Sequence, residues 1–165
     1  RPSESDCLRL AEQKTAAYFS ITCTAPTYIH KNTYRHCLNA YGMALGVAFQ
    51  LVDDLLDICQ DGTVLGKPAC GDLADGKETL PILYMREHMA PEDDARLAGM
   101  LGRPLSARER AWVARRLVES GARQRTENLA RTYVDAARAA LAPLPPSVYK
   151  DAMLGLAEFV LVRES

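Results

Sequence analysis

Apolar residues recur at three- and four-residue spacing along most of the chain, and no stretch alternates as a half-buried strand does. The spacing predicts a first helix from a Ser5 cap to about Thr24, closed off by Pro26. Leu8, Ala11, Thr15, Tyr18 and Thr22 make one face at helical spacing, with Lys14 beside it. Asn32 or Thr33 caps a second, longer helix that runs to about Cys59, its Leu38, Tyr41, Leu45, Ala48, Val52 and Leu56 repeating at three and four. From Met43 to Val52 this helix is apolar on almost every side apart from Gln50, so it belongs in the core. Gly42 and Gly46, four apart, weaken it locally and allow a neighbouring helix to come close.

Asp61-Gly62 ends the second helix, and residues 60–78 read as a Gly- and Asp-rich loop. A loop of that length in a compact domain is usually functional or disordered. Glu78 to His88 follows as a helix with Thr79 as its cap and Pro81 in the first turn. Pro91 sets up a short helix with acids in its first turn. Ser106 and Glu109 have capping-box spacing for a helix through Glu119, punctuated by Ser120-Gly121. A helix from Ala122 to about Leu141 is halted by Pro143, Pro145 and Pro146, and Ser147 caps a last one to Arg163. The expectation is an all-α bundle read as one domain.

Composition narrows the class. The chain has 165 residues with 48% hydrophobic and 25% charged positions, which is globular rather than disordered. A formal net charge of -1 gives no global basic field, which argues against nucleic acid as a partner. No apolar run approaches the roughly 20 residues of a spanning helix. Five cysteines without CxxC spacing read as reduced thiols of a cytoplasmic protein. The chain opens on Arg1 rather than Met, which suggests a processed or excerpted piece.

The chemistry concentrates between Gly46 and Pro81. Gln50, Asp53, Asp54 and Asp57 stand on an otherwise apolar helix, and a loop with Lys67, Asp72 and Lys77 follows. Asp53 and Asp57 share one helical face, and Asp54 lies about 100 degrees round. A solvated acidic face is the plain alternative, but Phe49, Leu51, Val52, Leu55 and Leu56 around it look buried. Carboxylates there are costly to desolvate unless a cation binds them, and an oxygen-only donor set suits magnesium rather than zinc. No EF-hand loop pattern is present. Lys67 and Lys77 each stand beside a glycine, where backbone can approach a phosphate and the ammonium acts as a point charge. Either alone would be an ordinary surface lysine; behind an aspartate helix the pair points to diphosphate bridged by metal.

Three stretches together resemble the polyprenyl synthetase family of trans-isoprenyl diphosphate synthases: Gln13-Lys14-Thr15-Ala16, GMALGVAFQLVDDLLD at Gly42–Asp57, and LGKPACGDLADGKETLP at Leu65–Pro81. The resemblance covers essentially the whole chain, residues 1–165, and matches the C-terminal half of one isoprenoid-synthase helical bundle. It implies that Asp53, Asp54 and Asp57 form the second aspartate-rich motif, with Asp53 a direct magnesium ligand and the other two acting through water or second contacts. It further implies that Lys14, Lys67 and Lys77 hold the allylic diphosphate, while Thr15 and Gln50 line the reacting end. The reaction so implied joins isopentenyl diphosphate to an allylic diphosphate, giving a linear trans-polyprenyl diphosphate.

The family's first aspartate-rich motif and its basic residues for isopentenyl diphosphate are not in this sequence. The expectation is therefore a fragment with little activity alone, acting as a homodimer or beside a chain that supplies the missing half. A non-catalytic subunit of a heteromeric synthase is the second reading. A class I terpene cyclase is the third, disfavoured because two Gly-Lys elements follow the aspartates and no N-D-x-x-S-x-x-x-E pattern occurs.

Overall fold

A computed structural model describes residues 1–29, 33–59 and 69–163, and these are helical without a strand. The helices are α1 (Glu4–Ala11), a π-helical turn (Glu12–Ala16), α2 (Ala17–Ile29), α3 (Arg35–Cys59), α4 (Gly71–Ala74), α5 (Leu80–Arg86), α6 (Pro91–Ala98), α7 (Ala107–Glu119), α8 (Ala122–Ala140) and α9 (Val148–Val162). They divide into two compact units, one of Arg1–Cys7 with Asp53–Thr126, the other of Leu8–Val52 with Glu127–Ser165.

In the first unit the buried side chains include Leu73, Leu80, Ile82, Met85, Leu97, Met100, Val113 and Leu117. The predicted capping box is present: Glu109 N donates to Ser106 Oγ at 3.3 Å, and Ser106 N donates to Glu109 Oε2 at 2.8 Å. Arg103 and then that cap hold the Glu109 carboxyl at about 2, well below the usual range. Gly121 ends α7 at φ +75°, the left-handed conformation glycine adopts without penalty. The start of α1 departs from expectation. Ser3 rather than Ser5 caps it, accepting from Asp6 N at 3.2 Å while Ser3 N donates back to Asp6 Oδ2 at 3.0 Å. The reciprocal pair satisfies two groups where Ser5 would satisfy one.

In the second unit α3 is central. Its Tyr41, Leu45, Ala48 and Leu51 are buried, as are Val134, Ala137 and Leu141 from the α8 region and Ala157 and Val160 of α9. Tyr41 Oη donates to Met153 O at 2.8 Å, which ties α3 to α9. The expected close approach occurs on the other side: a Cβ on Gly46 would stand 2.4 Å from Ala16 Cα, and one on Gly42 would stand 2.6 Å from Ser20 Cα. The first helical stretch runs past Pro26 to Ile29 instead of ending before it. Contacts from elsewhere hold this last turn. Thr27 is buried, its Oγ1 donates to Thr24 O at 2.7 Å and accepts from Arg35 Nε at 3.2 Å, and the Arg35 guanidinium lies 4.0 Å over the Tyr28 ring. Tertiary contact overrides the local breaker.

The predicted face of Leu8, Ala11, Thr15, Tyr18 and Thr22 is also displaced. The buried positions are Ala11, Ala16, Ser20, Thr24 and Thr27, and Tyr18 is exposed. The step from Ala11 to Ala16 spans five residues because the π-helical turn inserts one. Had the α register continued, Thr15 would face Gly46, where only an alanine fits.

Candidate active site

Two groups of site residues can be built, one in each unit. In the second, the π-helical turn swings Thr15 off the packing line, half-buried, and its Oγ1 donates to Gln50 Oε1 at 2.5 Å. Gln50 is buried on α3 one turn before Asp53. Since the hydroxyl proton is committed to Gln50, the Thr15 oxygen presents lone pairs, the negative end of its dipole. Lys14, beside it in the turn, is exposed. The guanidinium of Arg163, capping α9, lies 3.9 Å over Phe49, the residue before Gln50.

In the first unit Asp53 is exposed, and Asp54 and Asp57 are half-buried. Asp57 turns to the backbone: its Oδ1 accepts from Gly71 N at 3.0 Å and its Oδ2 from Asp72 N at 3.1 Å, the first amides of α4. Cys70 N also donates to Asp57 O at 2.6 Å. Burial raises the Asp57 pKa; the two amide bonds oppose this, while Asp72 and Asp53 add to it. The turn needs its local chemistry. Cys70 sits at φ +63°, and a Cβ on Gly71 would reach 3.1 Å from Asp57 Oδ1.

From α4 the network reaches Lys77, whose Nζ donates to Asp72 Oδ1 at 3.1 Å and Asp75 Oδ2 at 2.9 Å, and whose N donates to Asp72 O at 2.8 Å. Both carboxylates raise the Lys77 pKa, so the exposed ammonium stays charged. Lys67 and the residues from 60 to 68, with Asp61, lie outside the described residues, as do Asn32 and His30. Burial lifts the Cys7 thiol pKa, and Asp54, Asp6, Glu78 and Glu4 push it further, which sets Asp54 among acids. Sequence reasoning assigned no role to Asp75 and treated Asp72 only as part of the loop. Their placement around Lys77 depends on α4, four residues long and capped by Asp57 from fourteen and fifteen residues away.

Among the described residues no three His, Cys, Asp or Glu side chains form a group that could hold a metal ion. The donor set nevertheless suits a hard cation in part. Asp53, Asp54 and Asp57 bring carboxylate oxygens of the kind such a cation takes, and both Asp57 oxygens accept backbone amides.

The chain belongs to the polyprenyl synthetase family, whose model, described as "Polyprenyl synthetase", matches residues 1–117. It is 32% identical to the octaprenyl diphosphate synthase of Escherichia coli over 164 residues, covering 98% of this chain and 51% of that protein. It is 31% identical to a short chain isoprenyl diphosphate synthase of Methanothermobacter thermautotrophicus, covering 98% and 50%. Among solved structures it superposes at a TM-score of 0.90 on polyprenyl synthase from Caulobacter crescentus complexed with calcium and isoprenyl diphosphate, at 32% identity, covering 99% of this chain and 51% of that one. A geranylgeranyl pyrophosphate synthase from Corynebacterium glutamicum complexed with isoprenyl diphosphate and magnesium gives 0.84 at 26% identity, covering 99% and 48%. The chain thus spans about half the length of the relatives it matches. Among the described residues no helix is long and apolar enough to cross a membrane.

Proposed function

We propose that this chain carries the second aspartate-rich half of a magnesium-dependent prenyltransferase site. The reaction joins isopentenyl diphosphate to an allylic diphosphate, releases diphosphate and yields a linear trans-polyprenyl diphosphate. The observation that carries the reading is the superposition on a polyprenyl synthase holding a divalent cation and isoprenyl diphosphate, at a TM-score of 0.90 over 99% of this chain. Asp53, and Asp54 and Asp57 through water or from behind, are the residues that would hold magnesium. Bound there, magnesium would neutralise charge developing on the leaving diphosphate.

The chain's own residues do the rest. Lys14, Lys67 and Lys77 bind the allylic diphosphate as point charges, with Asp72 and Asp75 fixing the Lys77 ammonium. The Thr15 oxygen, oriented by Gln50, would stabilise the positive charge that appears on the allylic carbon. A reducing, cytoplasmic setting suits the five free thiols. Complementary helices, from a longer polypeptide or another chain, complete the site, and this chain alone turns over little.

Asp53→Ala tests the assignment. Calorimetric titration of inorganic diphosphate in magnesium should show binding to the wild-type chain and none to the variant, with far-ultraviolet circular dichroism unchanged. Undiminished magnesium-dependent binding by the variant overturns the site.

A further inference from the structure

Most arginines of this chain that can be placed stand against carboxylates. Arg86 pairs with Glu78 and Asp94, Arg103 with Glu109, Arg116 with Asp93 and Glu119, Arg125 with Glu4 and Glu87, and Arg138 with Glu158. Arg35 differs. It opens α3 beside a recess of about 570 Å³ lined by Thr24, Tyr28, Thr33, Arg35, His36 and Asn39, all within the second unit. No acid lines this recess, and among the described residues no carboxylate pairs with Arg35 or His36. A concavity of that volume is in the range of small-molecule sites.

The donor groups around it are held from behind. Arg35 Nε donates to the buried Thr27 Oγ1 at 3.2 Å, and the guanidinium rests 4.0 Å over the Tyr28 ring. These contacts fix the plane of the fork and leave its two Nη groups to donate elsewhere. Asn39 Oδ1 accepts from Ser20 Oγ at 2.6 Å, so the acceptor end of the amide is engaged and its two N–H groups remain as donors. Thr33 adds a hydroxyl and His36 an imidazole N–H, both exposed. Thr24 gives its own proton to Ser20 O at 2.8 Å and serves as wall. Donors from Arg35, Asn39, Thr33 and His36, with no carboxylate to compete, suit a tetrahedral oxyanion with several terminal oxygens better than a planar carboxylate with two.

We infer that this recess binds a phosphate monoester group directly, without a metal ion. Arg35 holds it by paired N–H···O bonds, and Asn39, Thr33 and His36 complete the cradle. The site is separate from the one proposed above, since Gln50 stands fifteen positions further along α3, about 22 Å of helix. The two also differ in kind: carboxylates reach a phosphate through magnesium, whereas a guanidinium meets it directly. Diphosphate wrapped by magnesium has its oxygens engaged and is a poor ligand for such a recess.

The test titrates the isotope-labelled 165-residue chain with inorganic phosphate in excess EDTA at constant ionic strength and follows amide chemical shifts. Chelation removes the ion on which the aspartate site depends. Saturable shifts are expected at Arg35, His36 and the Asn39 side chain, with affinity lowered about tenfold by Arg35→Gln and by Asn39→Asp and unchanged in Asp53→Ala. Asn39→Asp guards against a merely structural effect, because it keeps an acceptor for Ser20 Oγ while setting a negative charge in the recess. Sedimentation with phosphatidate-containing vesicles in the same buffer identifies the source. Capture that both substitutions abolish assigns the phosphate to a lipid headgroup, and capture no greater than by uncharged vesicles assigns it to a soluble molecule. Failure of both arms, or binding indifferent to both substitutions, overturns the inference. So does malonate shifting the same signals with equal affinity. Loss of the magnesium-dependent diphosphate titration sinks the functional reading alone and leaves this site standing.

Discussion

Two contacts made by α3 hold functional side chains by opposite means. At Gly42 and Gly46 the backbone of α3 meets Ser20 and Ala16 with no side chain between, and shape alone puts Thr15 on Gln50. At Asp57 the position of the following turn is set by charge and hydrogen bonds, from the carboxylate to the α4 amides and on through Asp72 to Lys77. Packing of the first kind is intolerant of a single added carbon and indifferent to pH. The second kind accepts added atoms more readily and responds to protonation.

Gly46→Ala separates the two most sharply. In an exposed helix interior this change stabilises by about 1 kcal/mol. Here the new Cβ meets backbone 2.4 Å away, and overpacking of that kind should cost roughly 3 kcal/mol in urea unfolding. A neutral result would mean that the two helices separate easily and that shape is not what positions Thr15.

Asp57→Asn comes next, at about 2 kcal/mol, because a carboxamide has one acceptor oxygen for two amides. Its pH dependence sharpens the contrast. Burial raises the native Asp57 pKa, so its contribution to stability is full below the unfolded value and is lost as pH rises through the native one. The stability gap between wild type and Asp57→Asn should narrow as pH climbs from the ordinary value of 3.8 through that raised value, whereas the Gly46→Ala penalty stays flat. Chemical denaturation across pH reads both, and parallel curves would remove the distinction.

The smallest effect belongs to Cys70→Gly. Relief of the left-handed backbone, about 1 kcal/mol, is offset by loss of a buried side chain, leaving the variant within about 1 kcal/mol of wild type in thermal unfolding. A loss of about 3 kcal/mol would show that the thiol fills space the turn depends on.

The same contrast governs what could be read from the sequence. Ser106 with Glu109, and Ser147, depend on neighbours within a turn, and each is where the spacing predicts. The close approach at Gly42 and Gly46 was legible because a pair of small residues four apart has few other uses. The π-helical turn was not, since the partner on which Ala16 packs, Gly46, lies thirty positions away. Nor was the passage of α2 through Pro26, stabilised by Arg35, or the pairing of Lys77 with Asp72 and Asp75. For the site, the residue types were legible and their partners were not. Asp57 reads from spacing as one of three carboxylates on a helix, and its partners, the first amides of a four-residue helix with no periodicity of its own, do not.

The Tyr41 hydroxyl reaches a carbonyl 112 residues further along the chain. The second unit is likewise assembled from stretches separated in sequence, Leu8–Val52 and the stretch from Glu127 onward, so it cannot close until α9 has emerged from the ribosome. Loop-closure entropy must be met before these long-range contacts stabilise anything, which sets a slow folding rate for an all-helical protein. A chain stopped short of α9 would leave Tyr41 and its neighbours on α3 exposed and prone to aggregate, although every residue implicated in chemistry would already have been synthesised.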